Sequence, residues 1–120
     1  ATDFTAGSPV VDMTLISTTT TAEATPTTGD IVMLIEDAYG TATVNTDVIA
    51  YISRDAGSNW SSAVTLVDEG NWGTNKRILV ARDVDISSLA GTTSMRYKIA
   101  TANQSVSKAT RIHAVSLAWA

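Results

Sequence analysis

Cysteine is absent from the 120 residues, which removes disulfides, thiolate metal sites and thiol nucleophiles together and leaves stability to packing or assembly. Histidine occurs once, at His113. One imidazole makes no multi-histidine metal centre, and among abundant Ser and Asp it defines no nucleophilic triad. Charge is sparse, and its eight Lys and Arg residues are scattered against twelve Asp and Glu, for a formal net charge of -4. Nucleic-acid affinity comes from clustered cations that displace counterions, so no nucleic-acid partner is expected. Long apolar runs are also missing. The longest, residues 31–35, is strand length and far short of the roughly 20 residues of a membrane helix, so no membrane insertion is expected. No basic segment followed by an apolar one marks a targeting signal, and a chain starting at Ala1 reads as processed or as part of a longer protein.

What is present is apolar and β-forming. Hydrophobic residues make up 44% of the chain and mean hydropathy is +0.11, enough apolar surface to offset the entropy of folding one domain. Residues 1–9 read as a linker or arm and 10–120 as a single domain. Thr, Val, Ile and Ser stand where helix formers would be needed, and apolar residues do not recur at helical spacing.

The pattern predicts a first strand over residues 10–17, then a Thr-rich turn or edge segment over 18–28, where Pro26 and Gly29 interrupt pairing. The unbroken apolar run within residues 30–37 predicts a central strand covered on both faces. Over residues 44–52, Val44, Thr46, Val48, Ala50 and Ile52 share one face while Asn45 and Asp47 point away. Residues 60–67 read as the hairpin partner, with Val64 and Leu66 in phase, and 68–73 as a loop. Over residues 77–86, Ile78, Val80, Val84 and Ile86 alternate with Leu79, Ala81, Asp83 and Asp85. In 93–100, Met95, Tyr97 and Ile99 face inward and Arg96 and Lys98 outward. In 110–119, Val115, Leu117 and Trp119 share a face with His113. Seven or eight strands of this kind predict an all-β, antiparallel two-sheet β-sandwich, jelly-roll-like or immunoglobulin-like.

The sharpest local motif is Ser53-Arg54-Asp55-Ala56-Gly57-Ser58-Asn59-Trp60. It resembles the Asp-box, a Ser-x-Asp-x-Gly-x-x-Trp hairpin of sialidases and many other β proteins, with Asn59 where Thr is usual. Its chemistry is structural. Ser53 and Asp55 offer acceptors to turn amides, Gly57 tolerates positive φ, and Trp60 lies back over the hairpin. A sialidase would need several such boxes and an arginine cluster. Trp60, and Trp72 in its Gly- and Asn-containing segment, are the candidate binding residues, as sugar-stacking platforms or subunit contacts. The pairs Glu36-Asp37 and Asp68-Glu69, with Asp83 and Asp85, are the candidate ligands for Ca²⁺, though solvated strand-end acids have the same spacing. No catalytic residue is assigned, and no enzyme activity is expected.

Several segments together resemble a family of modules in tailed-phage and prophage virion proteins, of the tail fibre or head decoration type. They are residues 12–17 (DMTLIS), 25–37 (TPTTGDIVMLIED), 45–66 (NTDVIAYISRDAGSNWSSAVTL), 76–87 (KRILVARDVDIS), 91–99 (GTTSMRYKI) and 112–120 (IHAVSLAWA). The resemblance implies a non-enzymatic structural module at the C-terminal end of a longer virion protein. It would pack on other virion proteins as a homo-oligomer, a trimer being common among fibre and decoration proteins. The alternative is a lectin-like module that recognises cell-surface glycan.

Overall fold

The computed structural model describes residues 11–120; the arm expected over 1–9 lies outside them. Eight strands follow in order: β1 (Thr14–Ile16), β2 (Thr20–Thr21), β3 (Thr28–Tyr39), β4 (Val48–Asp55), β5 (Val67–Gly73), β6 (Lys76–Asp85), β7 (Gly91–Thr101) and β8 (Ala109–Trp119). They form two antiparallel sheets packed face to face, the β-sandwich that the period-two patterning predicts. In the first sheet β7 is the spine. It pairs with β4 along one edge and, along the other, with β1 near its C-terminal end and β2 near its N-terminal end. The second sheet has the order β5-β6-β3-β8.

Alternation sets the core. β3 contributes Ile31, Met33 and Ile35, β4 contributes Val48, Ala50 and Ile52, β6 contributes Leu79 and Ala81, and β7 contributes Met95 and Ile99, all buried. Each large side chain here stabilises the fold by about 1.5–3 kcal/mol through removal from water. Tyr97, Val115, Leu117 and Trp119 pack against this cluster from its margins, on the faces that their spacing predicts.

Several expectations are corrected. β3 is central but covered on one face only: Val32 is 39% exposed and Leu34 half-buried, because their side of the sheet has no second layer among the described residues. The first strand shortens to β1. Residues 44–47 form a turn rather than a strand, with Asn45 at φ 69°. Its side chain takes the place of a strand partner, the Nδ2 donating to Leu66 O and the Oδ1 accepting from Leu66 N, both at 2.9 Å. Asp47, expected to point outward, is buried.

Residues 61–66 are not a ladder strand either. They run beside β4 on isolated bonds, Ser61 N to Ile52 O at 2.8 Å and Val64 N to Ala50 O at 2.9 Å, and bury Val64 and Leu66 while crossing to the second sheet. The expected loop over 68–73 lies within edge strand β5. Every residue of β5 is exposed, so burial leaves no alternation to read, and pairing with β6 alone holds it extended. On β6 a bulge sets Arg82 and Asp83 opposite Asp30. Asp83 has φ 53° and donates its N–H to Asp30 Oδ1 at 2.7 Å. The extra residue reverses the alternation, so that Ile86 joins Leu79 and Ala81 in the core.

Candidate functional site

The Asp-box-like segment folds on its own side chains. Ser53, fully buried, accepts from Gly57 N at 2.9 Å and Asp55 N at 3.2 Å and donates to Asp55 Oδ1 at 2.7 Å. Asp55 in turn accepts from Asn59 N at 2.8 Å and from Asn59 Nδ2 at 2.7 Å. These Asn59 bonds, with the Ser53 hydroxyl, hold the Asp55 carboxyl below the usual carboxylate range. Asn59 thus supplies two donors at the position where the pattern usually has Thr. The Trp60 indole lies against Gly57, where an added Cβ would come within 3.1 Å of the ring. Ala56 sits at φ 57°, a left-handed conformation costing an L-residue about 1–2 kcal/mol. Ala56→Gly is therefore expected to raise stability by about 0.5–1 kcal/mol, the relieved strain exceeding the extra chain entropy of glycine. Urea unfolding of both proteins measures it, and an unchanged or lower midpoint contradicts the strain argument.

Trp60 and Trp72 stand on the outer faces of opposite sheets and do not form one site. Trp60 shares the first sheet's outer face with Tyr51 and Lys98, whose Nζ lies 4.8 Å from the Trp60 ring and 4.5 Å from that of Tyr51. Such a cation–π arrangement occupies aromatic surface that a sugar would otherwise stack on. Trp72 lies on the second sheet, its Nε1 donating to Arg77 O at 3.2 Å and Ile35 O at 3.3 Å. Lys76 Nζ is 4.9 Å from its ring, and His113 meets it edge-on at 5.1 Å.

His113 departs from its expected inward position. A register shift between Leu34 and Ile35 reverses the alternation of β8, so Ile112 packs on the core while the imidazole turns outward to Glu36 Oε1 at 2.7 Å. That bond first, with Arg111 and Lys76 nearby, holds the Glu36 carboxyl below its usual range. The other candidate Ca²⁺ ligands are dispersed. Asp37 and Asp68 both engage Arg77, and Glu69 engages Arg82. Asp85 accepts from the backbone and hydroxyl of Ser87. Among the described residues no three acidic or imidazole groups are placed to share a cation.

Two surfaces remain that no single residue announces. The first is the outer face of the second sheet. The register sets Val32 beside Val80 and Leu34 beside Ile78, and Val67 beside Val80 on the next strand. Val67 is 50% and Trp72 37% exposed, with Ile78 half-buried and Val80 buried between them, so an apolar strip crosses β5, β6 and β3 where a solvated sheet would present polar residues. The signal was present in the sequence as the uninterrupted run of β3 and the apolar set Ile78 and Val80. The second surface is a cleft of about 380 Å³ at the edge of the sandwich, lined by Ser17, Thr18, Thr20, Tyr97, Leu117 and Trp119 together with buried Met95. Its lining is aromatic and hydroxylic, with no charged side chain.

Comparison with protein-family models, with curated proteins and with solved structures gives no match.

Proposed function

We propose that the chain is a non-enzymatic structural module of a virion, a tail fibre, head fibre or decoration component, that packs on other virion subunits. One observation carries the packing role: exposed Val32 and Val67 with half-buried Leu34 and Ile78 form an apolar strip over Val80, itself buried beneath them, on a face that no second layer covers among the described residues. Apolar patches of this kind on a monomer's surface mark interaction sites. The virion setting is supported by the sequence resemblance. Val32→Glu places a charge in the strip without touching the core, and is expected to abolish attachment to purified particles while leaving thermal unfolding nearly unchanged. A folded variant that still attaches overturns this reading.

A second reading, a lectin-like module for cell-surface glycan, is favoured by the cleft between Tyr97 and Trp119, because uncharged aromatic and hydroxyl groups suit the apolar face and rim of a neutral sugar. Tryptophan fluorescence during titration with neutral oligosaccharides decides it. A saturable change that Trp119→Ala removes, with particle attachment absent, moves this reading ahead.

A further inference from the structure

Cross-strand register on the exposed face of the second sheet orders its charges as well as its apolar residues. The outward positions of β3 read Asp30, Val32, Leu34 and Glu36; those of β6, from the same end, read Arg82, Val80, Ile78 and Lys76. β3 therefore carries an acid at each end of the strip and β6 a base at each end, with Asp83, the second residue of the bulge, beside Arg82 and turned back to Asp30 through its own N–H. These groups do not satisfy one another within the chain. Arg82 turns to Glu69 at 3.0 Å, and Glu36 to His113 at 2.7 Å and Arg111 at 3.8 Å, and among the described residues Asp30 has no cation, and Lys76 no carboxylate, within ion-pair distance.

We infer that this face is self-complementary and pairs with a second copy of the chain about a two-fold axis running parallel to the strands between β3 and β6. The inference rests on the packing role proposed above and names its partner. A face-to-face two-fold must lie in the plane between the sheets, and its direction decides which charges meet. An axis across the strands lays β3 over its own copy, placing Asp30 against Glu36 of the partner subunit and Arg82 against the partner's Lys76, like charge on like charge. An axis along the strands lays β3 over the partner's β6. Asp30 then meets Arg82 of the partner subunit, Glu36 meets Lys76 of the partner subunit, Val32 meets the partner's Val80 and Leu34 meets the partner's Ile78. Both ends pair opposite charges and the centre is apolar throughout, in the aligned sheet packing that twisted sheets adopt. Asp30 gains a cation and Lys76 a carboxylate, each twice by symmetry.

The face is small. Four strands spaced about 4.8 Å apart and seven residues rising about 3.3 Å each give roughly 450 Å² in plan, below the roughly 800 Å² per partner of a standard interface. An interface of this size falls in the weak, transient class, and the pairing is two-fold where the resemblance implies a trimer.

Sedimentation equilibrium of the whole chain, with a charge swap, tests this. The wild type is expected to approach twice 12.6 kDa, about 25 kDa, at high micromolar concentration. Asp30→Lys alone and Arg82→Asp alone each oppose like charges at two symmetric points and are expected to weaken association about tenfold or more. An equimolar mixture restores it, because each variant then offers the charge that the other needs. A wild type that stays monomeric, a trimer, or single variants that the mixture does not rescue overturns the two-fold. If the wild type is monomeric yet attaches to particles through Val32, the packing role stands and the self-pairing fails; if attachment ignores Val32 as well, both fail.

Discussion

Asp47→Ala is expected to lower the free energy of unfolding by about 2–4 kcal/mol, read from urea denaturation near neutral pH. The side chain is 1% exposed and all its acceptors are engaged. Oδ2 accepts from Thr43 N at 2.7 Å and from Lys108 Nζ at 2.8 Å, and Oδ1 accepts from Asn103 Nδ2 at 2.7 Å. Its backbone carbonyl takes the Ala102 N–H at 2.9 Å. One residue thus ties the turn before β4 to the segment linking β7 and β8. Alanine would leave the Lys108 ammonium and two amides without partners, and that desolvation, more than the lost bonds, sets the size of the effect. A loss below about 1 kcal/mol would mean that water replaces the carboxylate freely.

The same carboxyl makes a statement about acid. The Lys108 bond first, then those from Thr43 N and Asn103, lower its pKa from the ordinary 3.8 to about 2. The folded value lies below the unfolded one, so the stabilisation is complete above about pH 4 and is lost as pH falls through about 2. Wild type is expected to lose about 1–2 kcal/mol from this group across that window. In Asp47→Asn this part of the pH dependence is absent.

How much of this was legible follows from what each residue's neighbours are. Ile31, Met33 and Ile35, Val48, Ala50 and Ile52, and Met95 and Ile99 all alternate, and alternation is a local property that survives in sequence. Asp47 departs from its expected outward position because the alternation of residues 48–52 does not continue back through the turn at 45–47, and nothing local distinguishes a solvated acid from one held by Lys108, 61 residues away. β5 was missed because an edge strand without buried side chains has no period. His113 was misplaced because one bulge residue reverses every side chain beyond it. The motif at 53–60 could be read because the bonds among Ser53, Asp55, Gly57 and Asn59 are local, whereas the distant partners of Arg54 and the place of Trp72 could not. The apolar strip needed register: Val32, Val67 and Val80 come from three strands, and only pairing makes them one surface.

Gly91→Ala is expected to cost about 2–5 kcal/mol and to disturb the Asp-box-like hairpin with it. Gly91 has φ 80°, and an added Cβ would lie 2.6 Å from Arg54 O and 2.5 Å from Asp55 Cβ. The left-handed conformation accounts for about 1–2 kcal/mol, and a clash against backbone adds about 1–3 kcal/mol, since a carbonyl in a paired strand cannot rotate aside as a side chain can. The position matters because β4 and β7 shift register here, Arg54 standing opposite Gly91 and Asp55 opposite Ser94. That shift seats Arg54 as a buried cation whose guanidinium donates to the carbonyls of Pro26, Ser87 and Leu89, and it aims Asp55 into its own turn. Moving the Arg54 carbonyl outward would loosen both. Amide exchange is therefore expected to accelerate at Gly57 and Asn59 in the variant, while the β3 amides, on the other sheet, slow or quicken only with global stability. Uniform acceleration at all sites by the same free energy would show that Gly91 serves the fold as a whole and has no particular part in seating the hairpin.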